Sequence, residues 1–269
     1  MGVKDFFNMS ELPFNNSPDV KFFFRSEQHG EVIKRLIYAI ENKKGLVIVL
    51  GPIGTGKTTL SRLFLDYLES RDIESAMIVV VHSEVTSEWI LKKLNFQLGV
   101  ENVPDDKPSM LASLYSRLSE FNEQGKSVVI LIDEAQMLKN RDVMEELRGV
   151  LNFEDERGKL ISFVLFGLPE LEENLRLDEP LRQRVAMRFT LKPLDFLSTR
   201  EYILHRLSIV GVKEKVFTDE AIKLIYVKSR GIPRIVNTIC DNAMFEAYLI
   251  KKREVDEGIV GRVVSDLGL

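Results

Sequence analysis

The sequence predicts an α/β fold, a five-stranded parallel sheet wrapped by helices and followed by a wholly helical C-terminal part. Three observations predict it. Short apolar runs of strand length, at 46–50, 76–82, 127–133, 159–166 and just ahead of Leu191, alternate with segments of helical spacing. Alternation of this kind favours parallel pairing, because each strand needs a helical crossover before the next. After 191 the strand pattern stops, and helical spacing fills 198–210, 218–229, 233–251 and 254–266.

The chain of 269 residues suits one large domain or two ordinary ones, and 45% apolar residues supply a core. Net charge is −4 and the isoelectric point about 5.6, so no global positive field advertises nucleic-acid binding. The single cysteine, Cys240, falls in a helical pattern and reads as a buried small hydrophobe in a reducing compartment. No apolar run approaches 18 residues, the N-terminus lacks a signal-peptide core, and Phe6 stands where a myristoylation signal needs serine. A cytoplasmic location is expected.

Residues 1–25 read as an irregular segment packing on the core. Pro13, Asn15-Asn16 and Pro18-Asp19 are turn signals, interleaved with Phe6, Phe7, Phe14 and Phe22–Phe24. So many aromatics must pack, and the expectation is that they lie across the α/β domain, with or without contact to what it binds. Ser26 is an expected N-cap for a helix carrying Val32, Ile33, Leu36, Ile37 and Ile40. His29 opens this helix, as a half-buried or surface residue or beside a ligand of that domain.

The run Leu46–Leu50 predicts a fully buried strand. It feeds Gly51, Pro52, Ile53, Gly54, Thr55, Gly56, Lys57, Thr58 and Thr59, which fit G-x-x-x-x-G-K-[ST] and open a helix through Leu60, Leu63, Phe64, Tyr67 and Leu68. Glycines bring backbone N–H groups to phosphate oxygens where a side chain would collide, and the helix start faces the same anion. Lys57 is placed to reach the β- and γ-phosphates and Thr58 to ligate magnesium. Such a loop takes a nucleoside triphosphate, expected as ATP with Mg2+.

The run at 76–82 predicts a second buried strand, followed by helices over 86–98 and, after the breakers Pro104 and Pro108, over 107–124. Ser127–Glu134 is five apolar residues ending in Asp133-Glu134. In this reading Asp133 holds magnesium through water, while Glu134 orients and deprotonates the attacking water. The strand at 76–82 is expected to lie between the two motif strands, as in additional-strand, catalytic-glutamate NTPases. A helix over 141–153, a buried strand at 159–166 and a short helix leading from Pro180 into the fifth strand complete the sheet. Arg182, Arg184 and Arg188 crowd this last stretch, and Arg182 reads equally well as solvated charge. The expected division is 26–194 for the nucleotide-binding domain and 195–269 for a helical lid, with Pro233 at the first position of its third helix.

On these residues the chain resembles the AAA+ ATPases, and within them the family of general secretion pathway protein A. The resemblance rests on Leu12-Pro-Phe14, Pro18-Asp19, Phe22-Phe-Phe24-x-Ser26-x-x-His29, Asp133-Glu-Ala-Gln136, Glu145-Glu-Leu-Arg148, Pro169-Glu-Leu171, Leu181-Arg-Gln183, Tyr202-Ile203, His205-Arg-Leu207 and Gly231-Ile-Pro-Arg-Ile-Val-Asn237. It implies a P-loop NTPase of the AAA+ type whose nucleotide is clamped between core and lid and completed by a neighbouring subunit. It also implies that Arg234 senses the γ-phosphate and that Arg184, with Arg188 as second choice, is the finger given to the neighbour. Gly167 is followed by Leu168, where such proteins carry a polar residue that positions water, so water positioning rests on Glu134 and Gln136. Full-length relatives continue into a membrane span and a periplasmic part, which implies a shortened or stand-alone chain here.

The leading expectation is an ATP hydrolase that assembles with itself into a ring or filament and drives a partner protein complex of the secretion or pilus type. One alternative is a DNA-associated regulator of the transposition type, for which Lys251-Lys252-Arg253 and Lys92-Lys93 are the compact basic runs. Another is an ATP-gated assembly switch with slow hydrolysis, motivated by Leu168.

Overall fold

The computed structural model describes residues 2–269. They form two compact units. An α/β unit comprises Glu27–Pro52 and Leu60–Leu191, and a helical unit comprises Met1–Ser26, Ile53–Thr59 and Lys192–Leu269. The chain opens with α1 (Val3–Phe6), a 3-10 turn (Val20–Phe22), α2 (Glu27–Glu41), β1 (Leu46–Leu50) and α3 (Lys57–Glu69). Then come β2 (Glu74–Val79), α4 (Ser87–Gln97), α5 (Lys107–Glu123), β3 (Val128–Asp133), a second 3-10 turn (Ala135–Met137) and α6 (Arg141–Val150). A hairpin of β4 (Glu154–Asp155) and β5 (Gly158–Lys159) precedes β6 (Ile161–Gly167), α7 (Leu171–Leu175), α8 (Glu179–Gln183) and β7 (Val185–Thr190). Four helices finish it: α9 (Phe196–Ile209), α10 (Asp219–Ser229), α11 (Pro233–Leu249) and α12 (Glu257–Asp266).

In the α/β unit five parallel strands run in the order β2-β3-β6-β1-β7. The three inner strands are buried at every position, the expected signature of a sheet covered on both faces. Two expectations are corrected. The strand lying between β1 and β3 is β6, not β2, which forms an edge of the sheet. Nor is β2 wholly buried: Ala76 and Ile78 point inward, whereas Val79 is 43% exposed and Val81, beyond its end, 76%. An unbroken apolar run cannot distinguish a central strand from an edge strand, because burial is set by neighbours the run does not encode. The hairpin β4–β5 was also not foreseen; its strands pair over two residues each, too short for a periodic signal.

Helix starts follow the local chemistry. Thr86, Asp106 and Asp178 cap α4, α5 and α8 by accepting from the N–H three residues on. Thr218 does the same for α10, and Pro233 occupies the first turn of α11.

The helical unit has its own core, in which Tyr202, Ile203, Ile222, Val236, Cys240 and Val260 are buried. Phe7, Met9, Phe14 and Phe22 belong to that same core. Phe14 meets Phe217 edge to face at 6.0 Å, and Phe24 meets Tyr202 at 5.9 Å. The N-terminal aromatics expected to lie across the nucleotide domain are thus structural members of the helical unit, and two short helical turns interrupt the segment expected to be irregular. Arg206, 5% exposed, secures it: its guanidinium donates to the carbonyls of Pro13 and Asn15 and to the Tyr202 hydroxyl. A buried guanidinium needs most of its donors satisfied, so these carbonyls fix the path of the N-terminal segment.

Candidate functional site

In the helical unit, Ile53–Thr59 lies against the start of α11. Gly54 and Gly56 take φ of +80° and +96°, in the left-handed region that favours glycine. A Cβ on Gly54 would come within 2.7 Å of Arg234 Cβ and 3.1 Å of Ile232 Cγ2, so a side chain is also excluded by space. The Arg234 N–H donates to the Gly54 carbonyl at 3.3 Å. Lys57 and Thr55 are buried, at 8% and 2% exposure. Lys57 is the first residue of α3, so the loop leads directly to a helix N-terminus whose N–H groups lack intrahelical acceptors. The Arg234 side chain is exposed and forms no ion pair among the described residues. The start of α11 depends on Gly231, at φ +71°, where a Cβ would sit 1.8 Å from the Leu194 carbonyl oxygen, while Leu194 N–H donates to the Gly231 carbonyl at 2.8 Å.

In the α/β unit, β1 and β3 both run parallel to β6, so their carboxyl ends share one edge of the sheet. At that edge Asp133, 1% exposed, accepts the Glu134 N–H at 2.9 Å. Glu134 has φ +54°, a conformation uncommon for a non-glycine residue and a local strain the surroundings must hold. Its carboxylate Oε2 accepts from Gln136 Nε2 at 2.5 Å. Gln136, itself buried, accepts at Oε1 from the Leu168 N–H at 3.1 Å, and its backbone carbonyl accepts from Asn174 Nδ2 at 2.8 Å. Sequence reasoning paired Gln136 with Glu134 but missed Asn174, and it named Gly167 only as the residue before Leu168, without its contact to Gln136. The available signal was the glycine ending a buried strand, which marks a close approach.

The three arginines of the last stretch part company. Arg182 forms a two-pronged pair with Glu179 at 2.6 and 2.7 Å; the guanidinium holds that carboxyl below the usual range and is itself held protonated more firmly. Arg188 pairs with Glu172 at 3.0 Å. Arg184 donates to the Arg148 carbonyl at 3.3 Å and to the Asn152 side chain, so it is tied to the end of α6. Arg148 in turn grips both oxygens of buried Asp178, at 3.0 and 3.1 Å, and Asp178 caps α8.

In the helical unit Gly54 leaves backbone space where a Cβ would collide, as close approach to a phosphate requires. In the α/β unit the Asp133 carboxylate is a hard oxygen donor of the type that suits magnesium or its bound water. Among the described residues no group of three or more His, Cys, Asp or Glu could hold a metal. No helix is long and apolar enough to cross a membrane.

A family model described as an AAA domain matches residues 40–175. General secretion pathway protein A of Aeromonas hydrophila is 35% identical over 261 residues; the alignment covers 94% of this chain but 46% of that protein. Among solved structures, the Aeropyrum pernix ORC2 protein in ADPNP–ADP complexes superposes with a TM-score of 0.70 at 17% identity, covering 94% of this chain and 71% of the other. The Aeropyrum pernix ORC1 protein in complex with DNA gives 0.70 at 19%, covering 95% and 69%.

Proposed function

The chain belongs to the AAA domain family, with the AAA+ P-loop fold, and from that premise we propose that it binds and hydrolyses Mg-ATP, using the hydrolysis to assemble or remodel a partner complex. The observation that carries this reading is the Gly54–Gly56 loop, held at positive φ between the head of α3 and the Arg234 N–H. Lys57 and the loop N–H groups bind the phosphates; Thr58 would ligate magnesium, and Asp133 would hold it through water. When bound, that ion neutralises charge on the β- and γ-phosphate oxygens. Glu134 takes a proton from water as the oxygen attacks the γ-phosphorus, and the bond to the β–γ bridging oxygen breaks to leave ADP and phosphate. Arg234 meets the γ-phosphate from the same chain. Arg184 serves a neighbouring copy, where a guanidinium fork offsets negative charge on the transferred group.

The test is direct titration of the full chain with a fluorescent ATP analogue and magnesium, followed by phosphate release. Saturable binding with turnover is expected; no binding at millimolar nucleotide overturns the reading. The secretion-type setting draws on likeness to the Aeromonas hydrophila protein, of which this chain spans about half. The solved DNA complex of a structural neighbour favours a second reading, a DNA-associated ATPase. Binding to duplex DNA that weakens steeply between 50 and 200 mM salt, as counterion release requires, would select it.

A further inference from the structure

Resting on the hydrolytic reading above, we propose that Gln136 is a positioning residue that aims the Glu134 carboxylate by bridging it to the backbone at the end of β6. At the end of β6 the Leu168 backbone N–H donates to Gln136 Oε1 at 3.1 Å. A backbone N–H can only donate and an ionised carboxylate can only accept, so the two partners fix the amide orientation. Nε2 must then face Glu134, and it does, at 2.5 Å. The amide is thus a rigid spacer between the end of β6 and the carboxylate after β3.

Three features hold the spacer itself. Asn174, on α7, donates to the Gln136 carbonyl at 2.8 Å. Gly167 leaves room for it: a Cβ there would sit 3.2 Å from Gln136 Oε1 and 3.3 Å from its backbone nitrogen. Gln136 is 6% exposed, so water does not compete freely for its amide. Glu134, at φ +54°, begins the 3-10 turn that carries Gln136, and Met137 N–H returns to the Glu134 carbonyl at 2.9 Å. One oxygen of Glu134 is therefore committed to the amide, while Oε1 accepts no hydrogen bond among the described residues. That leaves one defined oxygen to receive a proton from water, and orientation to about an ångström is worth on the order of 10²-fold in rate.

Two variants separate aiming from simple bracing. Gln136→Glu keeps the length and an acceptor for the Leu168 N–H but removes the donor to Glu134. Gln136→Leu removes both bonds. Both should lose kcat by on the order of 10²-fold with KM and ATP-analogue affinity within about twofold of wild type. The double variant Glu134→Gln/Gln136→Leu should be no slower than Glu134→Gln alone, since a residue acting only through Glu134 has nothing left to orient. A wild-type kcat for Gln136→Glu, a gain in kcat for either variant, or a further loss on top of Glu134→Gln would overturn the proposal. Should Gln136→Leu fail to fold, Gln136→Glu and its combination with Glu134→Gln carry the test. If Glu134→Gln itself turns over normally, the assignment of Glu134 fails first and takes this proposal with it, a result distinct from failure of Gln136 alone.

Discussion

At the scale of single residues, the proposed function divides the site into groups that bind and groups that react, and substitutions should separate them. Glu134→Gln should cut turnover by on the order of 10²–10⁴ while leaving ATP affinity intact, measured by phosphate release beside analogue titration. Arg184→Ala should likewise lose on the order of 10³–10⁵ in turnover without loss of binding, and mixing it with excess Glu134→Gln protein should restore part of the activity if the arginine acts on a neighbour. The loop between β1 and α3 was legible as a glycine turn into a helix because residue type and spacing encode the turn itself. The place of Asp133 at the end of a buried strand was legible because the apolar run stops there. The bonds from Gln136 to Leu168 and from Asn174 to Gln136 were not, since they join residues 32 and 38 positions apart through backbone atoms common to every residue type.

At the scale of elements, two junctions matter most. The turn into α11 requires Gly231, and Gly231→Ala should cost at least about 3 kcal/mol, seen as a lowered melting temperature with loss of nucleotide affinity, because Arg234 and the Gly54 contact start from that turn. The second junction joins α4, α5 and α6 through Lys107 and Glu146, whose carboxylate is 7% exposed. The hydrogen bond that Lys107 donates to the Glu146 carboxylate raises its ammonium above its ordinary 10.5. A raised folded value means the contribution is full below 10.5 and is lost as pH climbs through the higher folded value. Lys107→Met should therefore destabilise at neutral pH, by about 1–3 kcal/mol for a buried carboxylate left with fewer partners, and the difference from wild type should shrink at high pH in denaturant melts. Helices were more legible than strands: caps at Thr86, Asp106 and Thr218 are local, whereas the edge position of β2 and the place of β6 between β1 and β3 depend on pairing across the sheet.

At the scale of the molecule, a site completed by a neighbour makes specific activity a function of concentration. Phosphate release per chain should rise through the range in which a non-hydrolysable ATP analogue drives assembly in light scattering, and a flat profile would remove the neighbour from the scheme. The N-terminal segment has a different consequence, for synthesis. Its phenylalanines are made long before the residues they pack with: Arg206 lies 193 positions beyond Pro13, and Asn237, bonded to Asn16, lies 221 beyond it. At about 5–20 residues per second, those aromatics wait roughly 10–45 s for a partner while the sheet between them is already complete in sequence. During that interval they are sticky, unpaired surface on a nascent chain, the kind of segment holding chaperones engage.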